Sequence, residues 1–200
     1  MELDFRAFAF IITLAAVING LGIVRLLASF AEYLRQQGKL EIVPYWVFNL
    51  WIFFQFMMHV VLWWSLWNAR VAETFTFLHY LYLLSGPVLL YLGTSLLVPD
   101  VEDHKFDLRK HFYVVRASYF TIAAMLWLWA IFLFPVLTGR FAPTAPFLAS
   151  FLAISVMLRF TANPKIHAAL VIASWFLLII IMANFGMRLG GVAEAVKSGA

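Results

Sequence analysis

The chain has 200 residues, of which 64% are hydrophobic and 12% charged, with a mean hydropathy of +0.92. Water-soluble domains hold about half apolar and a quarter charged residues, so the composition excludes a globule whose whole surface faces water and points to an integral membrane protein. A helix needs about 20 residues to cross a hydrocarbon core of about 30 Å, so six crossings consume about 120 residues and leave about 80 for tails and loops. That remainder is too dispersed for a soluble catalytic domain, and the protein is expected not to be an enzyme.

The net charge is +4, but the 14 Lys and Arg residues stand at segment ends without forming a basic run. This pattern suits a lipid bilayer as partner and argues against nucleic acid. The absence of cysteine excludes disulfides, thiolate metal sites and thiolate-held iron–sulfur clusters.

The first span is expected from about Phe5 to Leu27, with an amphipathic extension through Ser29, Glu32 and Tyr33 to a turn at Gln36-Gln37-Gly38-Lys39. It lacks an A-x-A-like site and reads as a retained helix, not a cleaved signal. The second, about Pro44 to Trp67, opens on a proline, which a first helical turn tolerates. The third covers about Phe75 to Val98, and the fourth about Phe112 to Leu137, closed by Thr138-Gly139-Arg140. Pro143 and Pro146 frame a short fifth span, about Pro146 to Phe160. Asn163-Pro164 turns the chain into the sixth, about Ile166 to Met187. The expected fold is thus an all-α, single-domain, six-helix transmembrane bundle. Three spans plus three would suit an inverted repeat, but Ile12 to Leu27 and Tyr119 to Phe134 share only apolarity.

An even span count puts both termini on one side. Nine basic residues fall at the first, third and fifth loops and their helix ends, against five at the termini and the other loops. The positive-inside rule then places the termini outside an inner (cytoplasmic) membrane.

Polar residues at membrane depth are costly and normally face the protein interior or water, so function is sought there. On the first helix Asn19, Gly22, Arg25, Ser29 and Glu32 follow at helical spacing and form one stripe. Arg25 either snorkels to headgroups or serves as the cation of an internal site, with Glu32 as counter-charge. The second helix carries Tyr45, Asn49, Phe56, His59 and Trp63 on one face, with Gln55 beside it; the third carries His79, Tyr82, Gly86 and Gly93. His59 and His79, on adjacent antiparallel helices, are candidates for axial haem ligation, or for a metal site with Glu73, as well as for ordinary hydrogen-bonded histidines.

Five of the eight tryptophans lie in the second span. Trp46 and the Trp63, Trp64, Trp67 group suit interfacial belts. Trp51 with Phe48, Phe53, Phe54 and Phe56 reads as packing or as the wall of an apolar pocket. Arg116, Arg159 and Lys165, with Arg25, form either a cytoplasmic rim or a basic vestibule. The connection Val101 to Lys110 is the longest polar stretch and a candidate docking site for a partner. P-loop, G-x-S-x-G and H-E-x-x-H motifs, a mid-span lysine in the last helix and a T-V-G-Y-G filter are all missing.

The run Gly20-Leu21-Gly22-Ile23-Val24-Arg25-Leu26-Leu27, the aromatic second span, Pro87 to Pro99 and Asp107 to Phe112 resemble an uncharacterised family of small bacterial polytopic membrane proteins, over roughly Gly20 to Phe134. The resemblance implies a helical inner-membrane layout and brings no ligand or reaction. The leading functional expectation is transport or permeation of a small solute by a homo-oligomeric bundle, with Asn19, Arg25, Glu32, Asn49, Gln55, His59, His79 and Arg116 as candidate pathway residues. A haem-binding electron-transfer subunit and a non-catalytic docking subunit are the alternatives. The cofactor is left open.

Overall fold

The computed structural model of the protein describes residues 5–35, 41–72, 75–99 and 105–198. Its first helix, α1 (Phe5–Arg35), runs without a break through the expected apolar span and its amphipathic extension. A three-residue strand, β1 (Glu41–Val43), leads into α2 (Trp46–Leu66), which ends in a 3-10 turn, Trp67–Val71. Helix α3 (Phe77–Leu97) is followed by β2 (Lys105–Asp107), which pairs in parallel with β1 in the register Glu41 to Lys105. This small sheet ties the connection after α1 to the connection after α3.

Helix α4 (Leu108–Thr138) begins one turn before the expected Phe112. Asp107 is its N-cap: its carboxylate accepts from the backbone N–H groups of Arg109 and Lys110, at 2.9 and 3.0 Å. A hydropathy reading discards that turn because Arg109, Lys110 and His111 are polar. Gly139, at φ +72°, closes α4 with its N–H on the Pro135 carbonyl, as the Thr138-Gly139-Arg140 signal implies. Then come α5 (Ala145–Phe160), α6 (Pro164–Ile181), a π turn (Met182–Gly186) and a short α7 (Gly191–Ser198).

Among the described residues, five helices are long and apolar enough to cross a membrane, whereas α5 has 16 residues, about 24 Å at 1.5 Å per residue. The outer surface carries large apolar side chains such as Phe10, Phe77, Leu78, Val114 and Phe160, all at least 70% exposed. Such a surface is stable against hydrocarbon and not against water, and the protein is a helical membrane protein.

The main core lies among α2, α4, α5 and α6, with Leu90 and Leu97 of α3. Trp51 meets Phe120 edge to face at 5.1 Å, and Trp127 stacks on Phe151 at 4.3 Å. A second cluster gathers Phe8, Ala15, Leu66 and Leu83 where α1, α2 and α3 meet. Phe48, Trp51 and Phe54 are therefore core residues. Helix α7 docks at one end of the bundle, with Val196 buried beside Val71, Phe134 and Ala142. Glu73, the Gln36 to Lys39 turn and the stretch Asp100 to His104 lie outside the described residues.

Candidate functional site

The expected pathway residues fall into two groups. The first, deep in the bundle, is a chain of hydrogen bonds joining four helices. Asn19 of α1 donates from Nδ2 to the His59 backbone carbonyl at 3.1 Å, and its Oδ1 lies 2.8 Å from His59 Nδ1. A carbonyl only accepts, so the amide orientation is set and Oδ1 faces the ring. In the neutral imidazole the proton therefore sits on Nδ1, and Nε2 accepts from the Thr94 hydroxyl at 2.8 Å. Gln55, one turn before His59 on α2, donates to Thr94 Oγ1 at 3.0 Å and to the Leu90 carbonyl at 2.9 Å. The Tyr119 hydroxyl of α4 completes the chain by donating to Gln55 Oε1 at 3.0 Å.

All five side chains are buried, with His59 and Thr94 fully so. Two glycines admit them. A Cβ on Gly22 would lie 2.1 Å from His59 Cε1, and one on Gly93 would lie 3.3 Å from Gln55 Nε2. The adjoining cavity, lined in part by Gln55, Tyr119, Trp51 and Ser155, measures about 20 Å³, room for about one water. Thr94 and Tyr119 are the members that sequence reasoning missed. The available signals were the small-polar pair Gly93-Thr94 and a tyrosine in mid-span.

The second group lines a cleft of about 970 Å³ between the end of α1 and the start of α2. Arg25, Ser29 and Glu32 stand on its α1 side and Asn49, Phe53 and Phe56 on its α2 side. Glu32 forms an ion pair with Arg35 one turn on. The cleft is bounded further by Val98 and Pro99, directly after α3, and by Leu108 at the start of α4. Gly22 lies one turn from Leu26, which lines the cleft, so the two groups meet along α1.

His79 and Arg116 belong to neither group. His79 forms a capping box at the start of α3: its N–H donates to Thr76 Oγ1 and its Nδ1 accepts from the Thr76 N–H, both at 3.3 Å. Thr94, the partner of His59, is 15 residues further along α3, about 22 Å at helical rise. The expected convergence of His59 and His79 on a haem or metal does not occur. The physical reason is the slide of the two helices, which sets Gln55 and His59 opposite Leu90 and Thr94. Both ring nitrogens of His59 are already engaged. Among the described residues no group of three His, Cys, Asp or Glu is placed to hold a metal ion.

Arg116 stands 5.9 Å from the Tyr113 ring on α4, and Arg159 donates to Thr121 Oγ1 at 2.7 Å. Neither lines the cleft with Arg25. Of the connection Val101 to Lys110, the described part is built into β2 and the first turn of α4. No family model, curated protein or solved structure matches the chain.

Proposed function

We propose that the protein is a six-span carrier of the inner (cytoplasmic) membrane that moves a small solute, with the α1–α2 cleft as its entry and the cluster around His59 as the gate beyond it. The observation that carries this reading is their adjacency: Gly22, packed on His59, is one helical turn from the cleft lining. Polar side chains at mid-bundle are expensive to insert and mark pathways in membrane proteins, and carriers bind their cargo near the bilayer midplane. A buried cluster of neutral groups that exchange hydrogen bonds suits a gate, because its members can take new partners without stranding a charge.

Helix α5, packed on α4 through Trp127 and Phe151, returns the chain to the end from which α6 departs. It supplies the sixth pass, with termini outside by the positive-inside excess. The exposed apolar faces of the bundle suit association with further copies in the membrane.

The test is uptake by proteoliposomes of a panel of small organic anions, cations and zwitterions. At least one class should enter faster than into protein-free vesicles, and Arg25→Ala and His59→Ala should each slow that entry. Uptake at the protein-free rate across the whole panel, or uptake indifferent to both substitutions, would sink the reading.

A further inference from the structure

We infer that the small cavity beside Gln55 is a binding site for one water molecule, which accepts a hydrogen bond from Ser155 and donates to the bonded pair Tyr119 and Gln55. The water ties α5 into the chain of hydrogen bonds that runs from Asn19 to Tyr119. The inference goes beyond the carrier reading and does not depend on it.

The room suits water and little else. The cavity measures about 20 Å³, and about 10–15 Å³ is needed to hold a water. No charged side chain lines it among the described residues, so an ion would be buried there without a counter-charge.

The lining supplies the partners that a buried water needs. Its polar side chains include Gln55, Tyr119, Ser155 and Ser174, buried on α2, α4, α5 and α6. Three of them have spent their hydrogens: Gln55 Nε2 on Leu90 and Thr94, the Tyr119 hydroxyl on Gln55 Oε1, and the Ser174 hydroxyl on the Leu170 carbonyl at 2.8 Å. Their oxygens keep lone pairs and can only accept. Ser155 is the exception. It is 4% exposed and makes no hydrogen bond among the described residues, whereas Ser150 and Ser174 each bond the carbonyl four residues back. The Trp51 indole N–H, in the same lining, is also buried without a partner among the described residues. A water that accepts from Ser155 and donates to two of the oxygens makes about three hydrogen bonds, the usual number for a buried water.

The register of α4 and α5 brings Ser155 to this place. It lies on α5 between Phe151, stacked on Trp127, and Arg159, bonded to Thr121. That sets it opposite the α4 stretch around Ala123, another lining residue, whose short side chain leaves space.

The experiment is a crystal structure of the full chain at a resolution that shows ordered waters. A single-atom peak should lie at hydrogen-bond distance, about 2.8 Å, from Ser155 Oγ and from Tyr119 Oη or Gln55 Oε1. Ser155→Val replaces the hydroxyl by methyl groups that fill the space, and its structure should lack the peak. In solution, Ser155→Ala should raise the unfolding constant in mixed micelles about threefold more than Ser150→Ala does, the worth of one interhelical hydrogen bond. Ser150 is an exposed residue of the same helix whose hydroxyl bonds the Pro146 carbonyl, so the change in helix propensity cancels. No peak, a larger density, a peak bonded to neither Tyr119 nor Gln55, a peak that survives Ser155→Val, or equal effects of the two alanine substitutions would each overturn the inference. Failure of the uptake assay removes the carrier reading and leaves this inference standing.

Discussion

The His59 ring occupies the space that a side chain at Gly22 would need. A Cβ built there would fall 2.1 Å from Cε1 and 2.6 Å from Nε2 of the imidazole. Gly22→Ala must therefore push the ring away from Asn19 and Thr94, at a cost of about 2 kcal/mol for overpacking. Gly20, two residues earlier, has nothing within 4 Å of its Cβ position, so Gly20→Ala should leave stability unchanged or raise it by about 0.5 kcal/mol. Unfolding in mixed micelles of rising denaturing-detergent fraction separates the two. Equal stability of the two variants would mean that the ring is not held by this contact.

The hydrogen bond from Tyr119 to Gln55 is the link between α4 and the rest of the cluster. Tyr119→Phe removes only the hydroxyl and leaves Gln55 Oε1 without its donor. Interhelical hydrogen bonds in membranes contribute about 0.6 kcal/mol on average and about 1.7 at most. A double-mutant cycle of Tyr119→Phe with Gln55→Leu should give a coupling energy in that interval; a coupling near zero would detach α4 from the cluster.

The crossing of α5 is checked at its two ends. The chain has no cysteine, so single-cysteine variants carry no background. Arg140 precedes α5 and Asn163 follows it, and Arg140 and Asn163 are both exposed. In intact cells Arg140→Cys should react with a membrane-impermeant maleimide, while Asn163→Cys should react only after permeabilisation. Labelling of both from the same side would remove the sixth pass.

Asn68 holds the C-terminal helix. Its Oδ1 accepts from the Ala193 N–H at 3.1 Å, and its Nδ2 donates to the Ser65 carbonyl at 3.2 Å. Asn68→Ala should free α7, leaving Val196 as its main buried anchor, and trypsin cleavage at Arg188 should accelerate several-fold in the purified protein. Unchanged cleavage would show that the Val196 contact suffices.

Helix positions were legible to within a few residues because apolar runs must match the hydrocarbon thickness, and the polar ends were legible where a cap was recognised. The start of α4 shows the limit: Asp107 is a readable N-cap, but its charged first turn hides the helix from a hydropathy reading. Asn19, Gln55 and His59 stood out as candidates because polar side chains at membrane depth are rare. Their partners did not. Thr94 is small and Tyr119 amphipathic, and neither type is unusual inside a membrane helix.

The sequence by itself determined a membrane environment, the helices, and the short set of polar residues that require an explanation, since these follow from local hydropathy and length. Only the tertiary structure decided that Asn19, His59, Thr94, Gln55 and Tyr119 form one chain of bonds, that His79 caps a helix about 22 Å away along α3, and that Arg25, Glu32 and Asn49 face a cleft. Those outcomes depend on the relative slide and rotation of packed helices. Glycines such as Gly22 and Gly93 permit that close approach, but which partner they admit is settled by which side chain across the interface can complete its hydrogen bonds.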